Sequence, residues 1–269
     1  MNRVINSSFH IPHSSFLINM NKLGHILARY VAIMVASGTH SSRINRSAKR
    51  IAEAYGYDMR IILSLRNISI MLCNPNDTSE QYHEIITAPA SPISLSNNAD
   101  LSRLSWEVYD KKMSIEDFEA KFNKITSTPR YKHLVVGLMS SLASFGLCYL
   151  FNGTIWAMLM VFVSTFISFN LKHFLTVKHV NNHLTILLTA SVASIIASLG
   201  AFIDEQTASV AVATSVLYLV PGVVFISGLI DILEGFVVIG FSRLVNATLH
   251  TISLAIGLLI SVNIIKFIW

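Results

Sequence analysis

Residues 217–235 read LYLVPGVVFISGLIDILEG. The stretch starts apolar enough to lie in a membrane, then carries Pro221 and Gly222 and ends on Asp231, Glu234 and Gly235. Proline has no N–H, and its ring collides with the carbonyl four residues back, so the Leu217 carbonyl is expected to lose its helical partner. In hydrocarbon that oxygen needs another donor, which neighbouring protein or a water-lined cavity can supply. Broken helices near the bilayer midplane recur in transporter sites, because unwound backbone offers donors and acceptors to a polar substrate. An ordinary proline kink used for packing is the blander alternative.

Asp231 lies about 15 Å beyond Pro221 if the helix resumes, which puts it near the cytoplasmic membrane boundary. Glu234 and Gly235 follow on its face at i+3 and i+4. The next segment, FVVIGF, is too short to span and runs into Arg243, so 231–243 is expected to be an interfacial or re-entrant piece. Acids at such depth are costly unless paired or wetted, which makes Asp231, with Arg243 as partner, a candidate functional pair. Two solvated loop charges are the competing account.

The rest of the chain supports a membrane reading. Of 269 residues, 52% are hydrophobic and 13% charged, and the mean hydropathy is +0.56, well on the apolar side of soluble composition. Most of the charge precedes His133. Five apolar runs follow, at 134–151, 154–171, 184–203, 208–230 and 244–269, each meeting or approaching the roughly 20 residues that a spanning helix needs. Arg130 and Lys132 precede the first run and Lys172 and Lys178 separate the second from the third, whereas the loops at 152–153 and 204–207 hold no basic residue. By the positive-inside rule the N-terminus is cytoplasmic and the C-terminus outside. The same rule accounts for the net charge of +5, and no nucleic-acid motif accompanies it. Small residues at i+4 spacing, such as Ser140 with Ser144, Ala190 with Ser194 and Ser198, and Ala211 with Ser215, mark expected helix contacts.

The polar half has no secretory leader pattern. A flexible segment, 1–21, precedes an expected small cytoplasmic α/β domain, 22–130, and the membrane domain occupies 131–269. Leu23, Ile26, Leu27, Tyr30, Val31 and Met34 form one face of a helix that Gly38 interrupts, and a second helical stretch stops at Gly56. MRIILSLRNISIMLC, 59–73, reads as two strands around Arg66-Asn67. The polar stretch 74–100 holds three prolines and is expected to be loop or irregular strand. Residues 101–110 and 114–125 read as helices, the second opened by Ser114 with Asp117 as a capping box.

Zinc-hydrolase, P-loop, dinucleotide and serine-elbow motifs are absent. We therefore expect no enzyme, no cofactor and no metal. Cys73 and Cys148 are too far apart for a CxxC pair. The histidines lack carboxylate or cysteine companions at ligand spacing. His250, inside the last run, is a candidate proton relay or a helix–helix hydrogen bond.

Two blocks, VASGTHSSRINRSAKRIAEAYG and LYLVPGVVFISGLIDILEGFVVIGFSRL, together with the order of a cytoplasmic α/β domain before five spans, resemble the threonine/serine exporter (ThrE) family and, within it, the YjjP-like split subunits. The second block, with Pro221, Gly222, Asp231, Gly235, Gly240 and Arg243, is the more specific. The resemblance implies proton-coupled export of threonine- or serine-type amino acids, or of dicarboxylates such as succinate, at a bacterial inner membrane. It also implies a second small membrane subunit as partner, since this chain ends after the fifth run, and it leaves homo-oligomerisation open. Gly38 and Arg43 carry the first block. The family often has an acid two residues after this arginine, where this chain has Asn45. A membrane-anchored scaffold or sensor, binding its ligand through the cytoplasmic domain, is the reading from a different class.

Overall fold

A computed structural model describes residues 13–64, 66–89, 93–128, 131–199 and 205–268. The chain divides into two compact units, one made of residues 1–128 with Ile226–Arg243, the other of 129–225 with Leu244–Trp269.

The first unit opens with α1 (His13–Ala36) and α2 (Ser41–Ala54). Residues 13–21, expected to be flexible, therefore belong to a helix, and 1–12 lie outside the described residues. Along α1 the apolar positions recur at helical spacing, and Leu23, Ile26, Leu27, Tyr30, Val31 and Met34 are all buried, as a one-sided apolar stripe requires. Strands β1 (Asp58–Leu63), β2 (Asn67–Asn74) and β3 (Asp77–Thr87) form an antiparallel sheet in the order β1-β2-β3. Ile68, Ile70 and Leu72 of β2 alternate into the core, the period of two that puts successive side chains on opposite faces. The 11-residue β3 lies in the stretch expected to be loop or irregular strand: Tyr82, Glu84 and Ile86 are half-buried between exposed neighbours, so a strand pattern was present but written partly in polar residues.

Helices α3 (Leu95–Lys111) and α4 (Ile115–Ser127) close the unit. The first begins earlier than expected because Ser94 caps it, accepting the Asn97 amide. Ser114 caps the second, its oxygen accepting the Asp117 amide at 3.1 Å, while its hydroxyl donates to the Asp117 carboxylate at 2.8 Å, a side-chain bond that differs from the reciprocal backbone bond of the expected capping box. Phe118 and Phe122 of α4 pack on Tyr30 at ring separations of 6.3 and 6.2 Å, and the Tyr30 hydroxyl donates to the Leu101 carbonyl at 2.9 Å.

In the second unit α5 (His133–Leu150) and α6 (Ile155–Val177) are followed by α7 (Asn182–Ser198), α8 (Glu205–Ser215) and one 3-10 turn at Leu217–Leu219. Two further helices, α9 (Gly222–Leu233) and α10 (Val237–Ile268), each cross from one unit to the other along their length. Among the described residues three segments are long and apolar enough to span a membrane: α5, α6 and Val237–Ile264 of α10. Residues 209–219 with α9 make a fourth if the pair, bent by 59°, is counted as one span. The described residues thus give three or four of the five expected spans; α7 has 17 residues, and the end of that run, 200–203, lies outside the described residues. The last apolar helix starts at Val237, not 244, because residues 237–241 of FVVIGF open α10 instead of forming a separate re-entrant piece.

Packing inside this unit relies on small and hydroxylated side chains, as expected where lipid removes the usual hydrophobic drive. Ser191 donates to the Gly257 carbonyl at 3.0 Å, Ser194 to the Ser261 hydroxyl at 2.5 Å, and Tyr218 to the Ser168 hydroxyl at 2.8 Å. On α5 the buried serines are Ser141 and Ser144, not the expected Ser140. Met139, Leu142, Trp156 and Ile252 stay exposed, an apolar surface suited to lipid.

Candidate functional site

The Pro221 break satisfies its own backbone. The Leu217 carbonyl, expected to lack a partner, accepts the Val220 amide at 3.1 Å in the 3-10 turn. The Pro221 carbonyl then accepts the Phe225 amide at 3.1 Å and starts α9, a place where a residue without an N–H costs nothing. Pro221 and Gly222 lie in the second unit, and the remaining candidates lie in the first.

Two helix ends shape the site in that first unit. Helix α1 stops at Gly38, whose φ of +81° is a left-handed conformation that glycine adopts without a Cβ clash. Its Thr39 amide reaches back to the Met34 carbonyl at 3.2 Å and the Gly38 amide to Val35 at 3.1 Å. Helix α9 ends in the same way at Gly235, φ +88°, with Phe236 N–H on the Asp231 carbonyl at 2.7 Å and Gly235 N–H on Ile232 at 3.1 Å. These glycine stops use up carbonyls that a helix end would leave unpaired. The chain then doubles back, and α10 packs so closely on α9 that a Cβ added at Gly240 would lie 2.7 Å from the Gly228 carbonyl oxygen.

The two motif blocks meet here. Asp231 is fully buried, and Arg243 is 6% exposed. Arg243 Nη1 lies 3.0 Å from Asp231 Oδ2 as an ion pair, while Nη2 donates to the Thr39 carbonyl at 3.0 Å. Asp231 Oδ1 accepts the Ser41 amide at 2.6 Å, and the Ser227 hydroxyl donates to the Gly38 carbonyl at 3.0 Å. The segment 38–41 is thus held by three side chains of the α9–α10 hairpin. A charged pair at zero exposure needs such geometry, because desolvation removes several kcal/mol per ion that only pairing and hydrogen bonds restore. The reading of Asp231 and Arg243 as two solvated loop charges is overturned by their burial and contact.

Glu234 stands at the rim. Its carboxylate is 3.3 Å from His40 Nδ1, and it is held below the usual carboxylate range, first by a hydrogen bond from the Ser42 hydroxyl and then by His40 and Arg46. Burial pushes the His40 imidazole down more strongly than Glu234 and Asp231 raise it, with Arg43 pushing the same way as burial. Arg43 points outward and donates to the Asn98 side chain at 3.3 Å. Thr39 Oγ1, Ser41 Oγ and Asn45 Oδ1 are buried atoms without a hydrogen-bond partner.

Sequence reasoning missed Thr39, Ser41 and Ser227. One signal was available: α2 has no acidic residue in its first turn, and its cap residue, His40, makes no side-chain cap bond. A helix start so poorly provided invites a carboxylate from elsewhere, and Asp231 supplies it. His250 bonds to Asn182 and has its ring 5.3 Å from that of His183. No group of three metal-ligating side chains occurs among the described residues.

Comparison with known proteins places the chain in a family. The family model described as "Putative threonine/serine exporter" matches residues 25–265. The "Probable succinate transporter subunit YjjP" of Klebsiella aerogenes is 28% identical over 155 residues, 57% of this chain and 60% of that protein. The protein of the same name from Escherichia coli (strain K12) is 28% identical over 148 residues, 54% of this chain and 57% of its own length. The chain thus spans less than two thirds of either relative. No solved structure is significantly similar. Because the match runs from within α1 to near the end of α10 and takes in both blocks that meet at Asp231, the chain belongs to the threonine/serine exporter family.

Proposed function

We propose that the chain is one subunit of a two-component secondary exporter of small polar metabolites, working with a second small membrane subunit of the same family in a bacterial inner membrane. Its cargo is a carboxylate-bearing metabolite, a dicarboxylate such as succinate or an amino acid such as threonine or serine, and its export is coupled to protons. The observation that carries this reading is the buried Asp231–Arg243 pair, 3.0 Å apart, in a chain whose family is one of exporters and not of enzymes. A buried acid with a single cationic partner can exchange between charged and neutral forms as its surroundings change, which is what a proton-coupling residue must do. The relatives' names, which speak of a succinate transporter subunit, support the dicarboxylate class and the need for a partner.

In this reading the chain crosses the membrane five times, α7 and the bent pair included, with the N-terminal α/β domain in the cytoplasm and the C-terminus outside. The distribution of Lys132, Lys172 and Lys178 supports that orientation. Access would alternate about the break at Pro221 and Gly222, where the 3-10 turn and α9 give the chain two separately hydrogen-bonded halves.

The test is reconstitution. Purified chain with its partner subunit in proteoliposomes should move succinate, serine or threonine under an imposed pH gradient, and Asp231→Asn should lose the gradient dependence with assembly intact. A correctly assembled complex that moves no member of that panel would overturn the proposal.

A further inference from the structure

We propose that the start of α2 is a carboxylate-binding site whose resting occupant is Asp231, and that a substrate carboxylate takes its place when Asp231 accepts a proton. The inference rests on the exporter reading and names the chemical group by which that exporter would recognise its cargo.

The start of α2 holds unused donors. Its first intrahelical bond runs from the Ile44 amide to the His40 carbonyl, so the amides of Ser41, Ser42 and Arg43 all point out of the helix start. Asp231 takes only the first of them, and His40 caps none with its side chain. Around them are two hydroxyls, Thr39 Oγ1 and Ser41 Oγ, on residues 1% and 0% exposed, and neither has a hydrogen-bond partner. Arg243 Nη1 is in ion contact with Asp231 Oδ2 but is not aligned to donate a hydrogen bond to it. Buried hydroxyls without partners are costly in a folded protein. Here they surround a helix start that already holds one carboxylate, in a helix of 14 residues. Amides, hydroxyls and a guanidinium are donors that a carboxylate accepts, and the Ser41 amide and Arg243 already meet on one, Asp231.

Charge balance then links proton to cargo. With Asp231 ionised, Arg243 is neutralised internally and an incoming anion meets an occupied site. With Asp231 protonated, Arg243 and the start of α2 are left without their anion, and a substrate carboxylate restores the balance. Proton and carboxylate therefore bind together, each raising the affinity for the other, as linkage requires. The other charged groups near this place are His40 from the segment before α2, Glu234 from the end of α9, and the exposed Arg43 and Arg46 of α2, which act on His40 and Glu234 respectively. Any pH dependence must be separated from the titration of His40.

The experiment is calorimetric titration of the full chain in lipid nanodiscs with succinate, and with its neutral dimethyl ester as control, from pH 5.5 to 8. Succinate should bind more tightly as pH falls, by roughly tenfold per pH unit where one proton is taken up with each ligand, and the ester should not bind. Asp231→Asn should bind succinate with an affinity that no longer varies with pH. Ser41→Ala, which leaves every amide in place, should weaken binding roughly tenfold, the loss of one hydrogen bond to a charged group. Unchanged pH dependence in Asp231→Asn would assign the proton to His40 and overturn the proposal. So would ester binding equal to that of succinate, or full affinity in Ser41→Ala. If these binding results hold but reconstituted chain and partner move none of the panel, the exporter reading fails and the carboxylate site stands. Transport without the binding signature keeps the exporter reading and overturns the carboxylate site.

Discussion

Asp231 accepts the backbone amide of Ser41 at 2.6 Å although 190 residues separate them in the chain. The bond joins the start of a helix in the N-terminal half to the end of α9, and the same carboxylate carries the ion pair to Arg243. One side chain thus serves as helix cap and counter-ion, so substitutions at its partners should reveal the two roles separately.

The ion pair is expected to behave as a buried pair. Arg243→Met strands the Asp231 charge and should cost about 3–5 kcal/mol, whereas pairing it with Asp231→Asn removes both charges and keeps an oxygen for the Ser41 amide. The double variant should therefore recover at least half of the loss. Thermal unfolding of the four proteins in one detergent gives the cycle, and additive losses would show that the two side chains do not interact.

Much of the first unit was legible because its helices and inner strands write burial in apolar residues at clean periods. The face of α1 from Leu23 to Met34 and the alternation of Ile68, Ile70 and Leu72 are of this kind. Strand β3 was not, since Glu80, Gln81 and Glu84 break its alternation and prolines at 75 and 89 flank it. The start of α10 was hidden for another reason: Gly240 and Arg243 look like interruptions, but the glycine lets α9 approach and the arginine is neutralised from across the hairpin. The Asp231–Arg243 pair could be read from its spacing and depth. The contact with Thr39 and Ser41 could not, because nothing local in either block specifies a partner so far along the chain.

The glycine stop after α9 makes a local prediction. A Cβ added at Gly235 meets no atom within 4 Å, so Gly235→Ala is penalised only by its φ of +88°, about 1–2 kcal/mol. Gly235→Asn should cost less, since asparagine tolerates this conformation. Equal loss in both variants, measured by thermal unfolding, would place the cost in packing instead of backbone.

Ser227 isolates the weakest of the three clamps on segment 38–41. Ser227→Ala removes only its hydroxyl bond to the Gly38 carbonyl and should lower stability by about 0.5–1.5 kcal/mol. Hydrogen exchange should rise at the Thr39 and Ser41 amides, which are bonded to Met34 and Asp231, and leave β2 protected. A uniform rise across the unit would mean that the clamp acts on global stability and not on this segment.

The rim predicts how stability responds to acid. His40 has its folded pKa lowered from 6.5, burial being the largest cause. The unfolded chain therefore takes up this proton first, and stability present above pH 6.5 is lost as the pH falls below it. Glu234 has its folded pKa lowered from 4.5, mainly by the Ser42 hydroxyl, so its contribution is kept until more acidic pH and then lost as its carboxylate is protonated. Both signs agree, because in each case the unfolded state binds more protons across the window. Tm measured from pH 8 to pH 3 should fall in two stages, and His40→Asn should flatten the first while leaving the second. A Tm that rises on acidification through pH 6 would show that Glu234 holds His40 in its charged form and that burial is the lesser influence there.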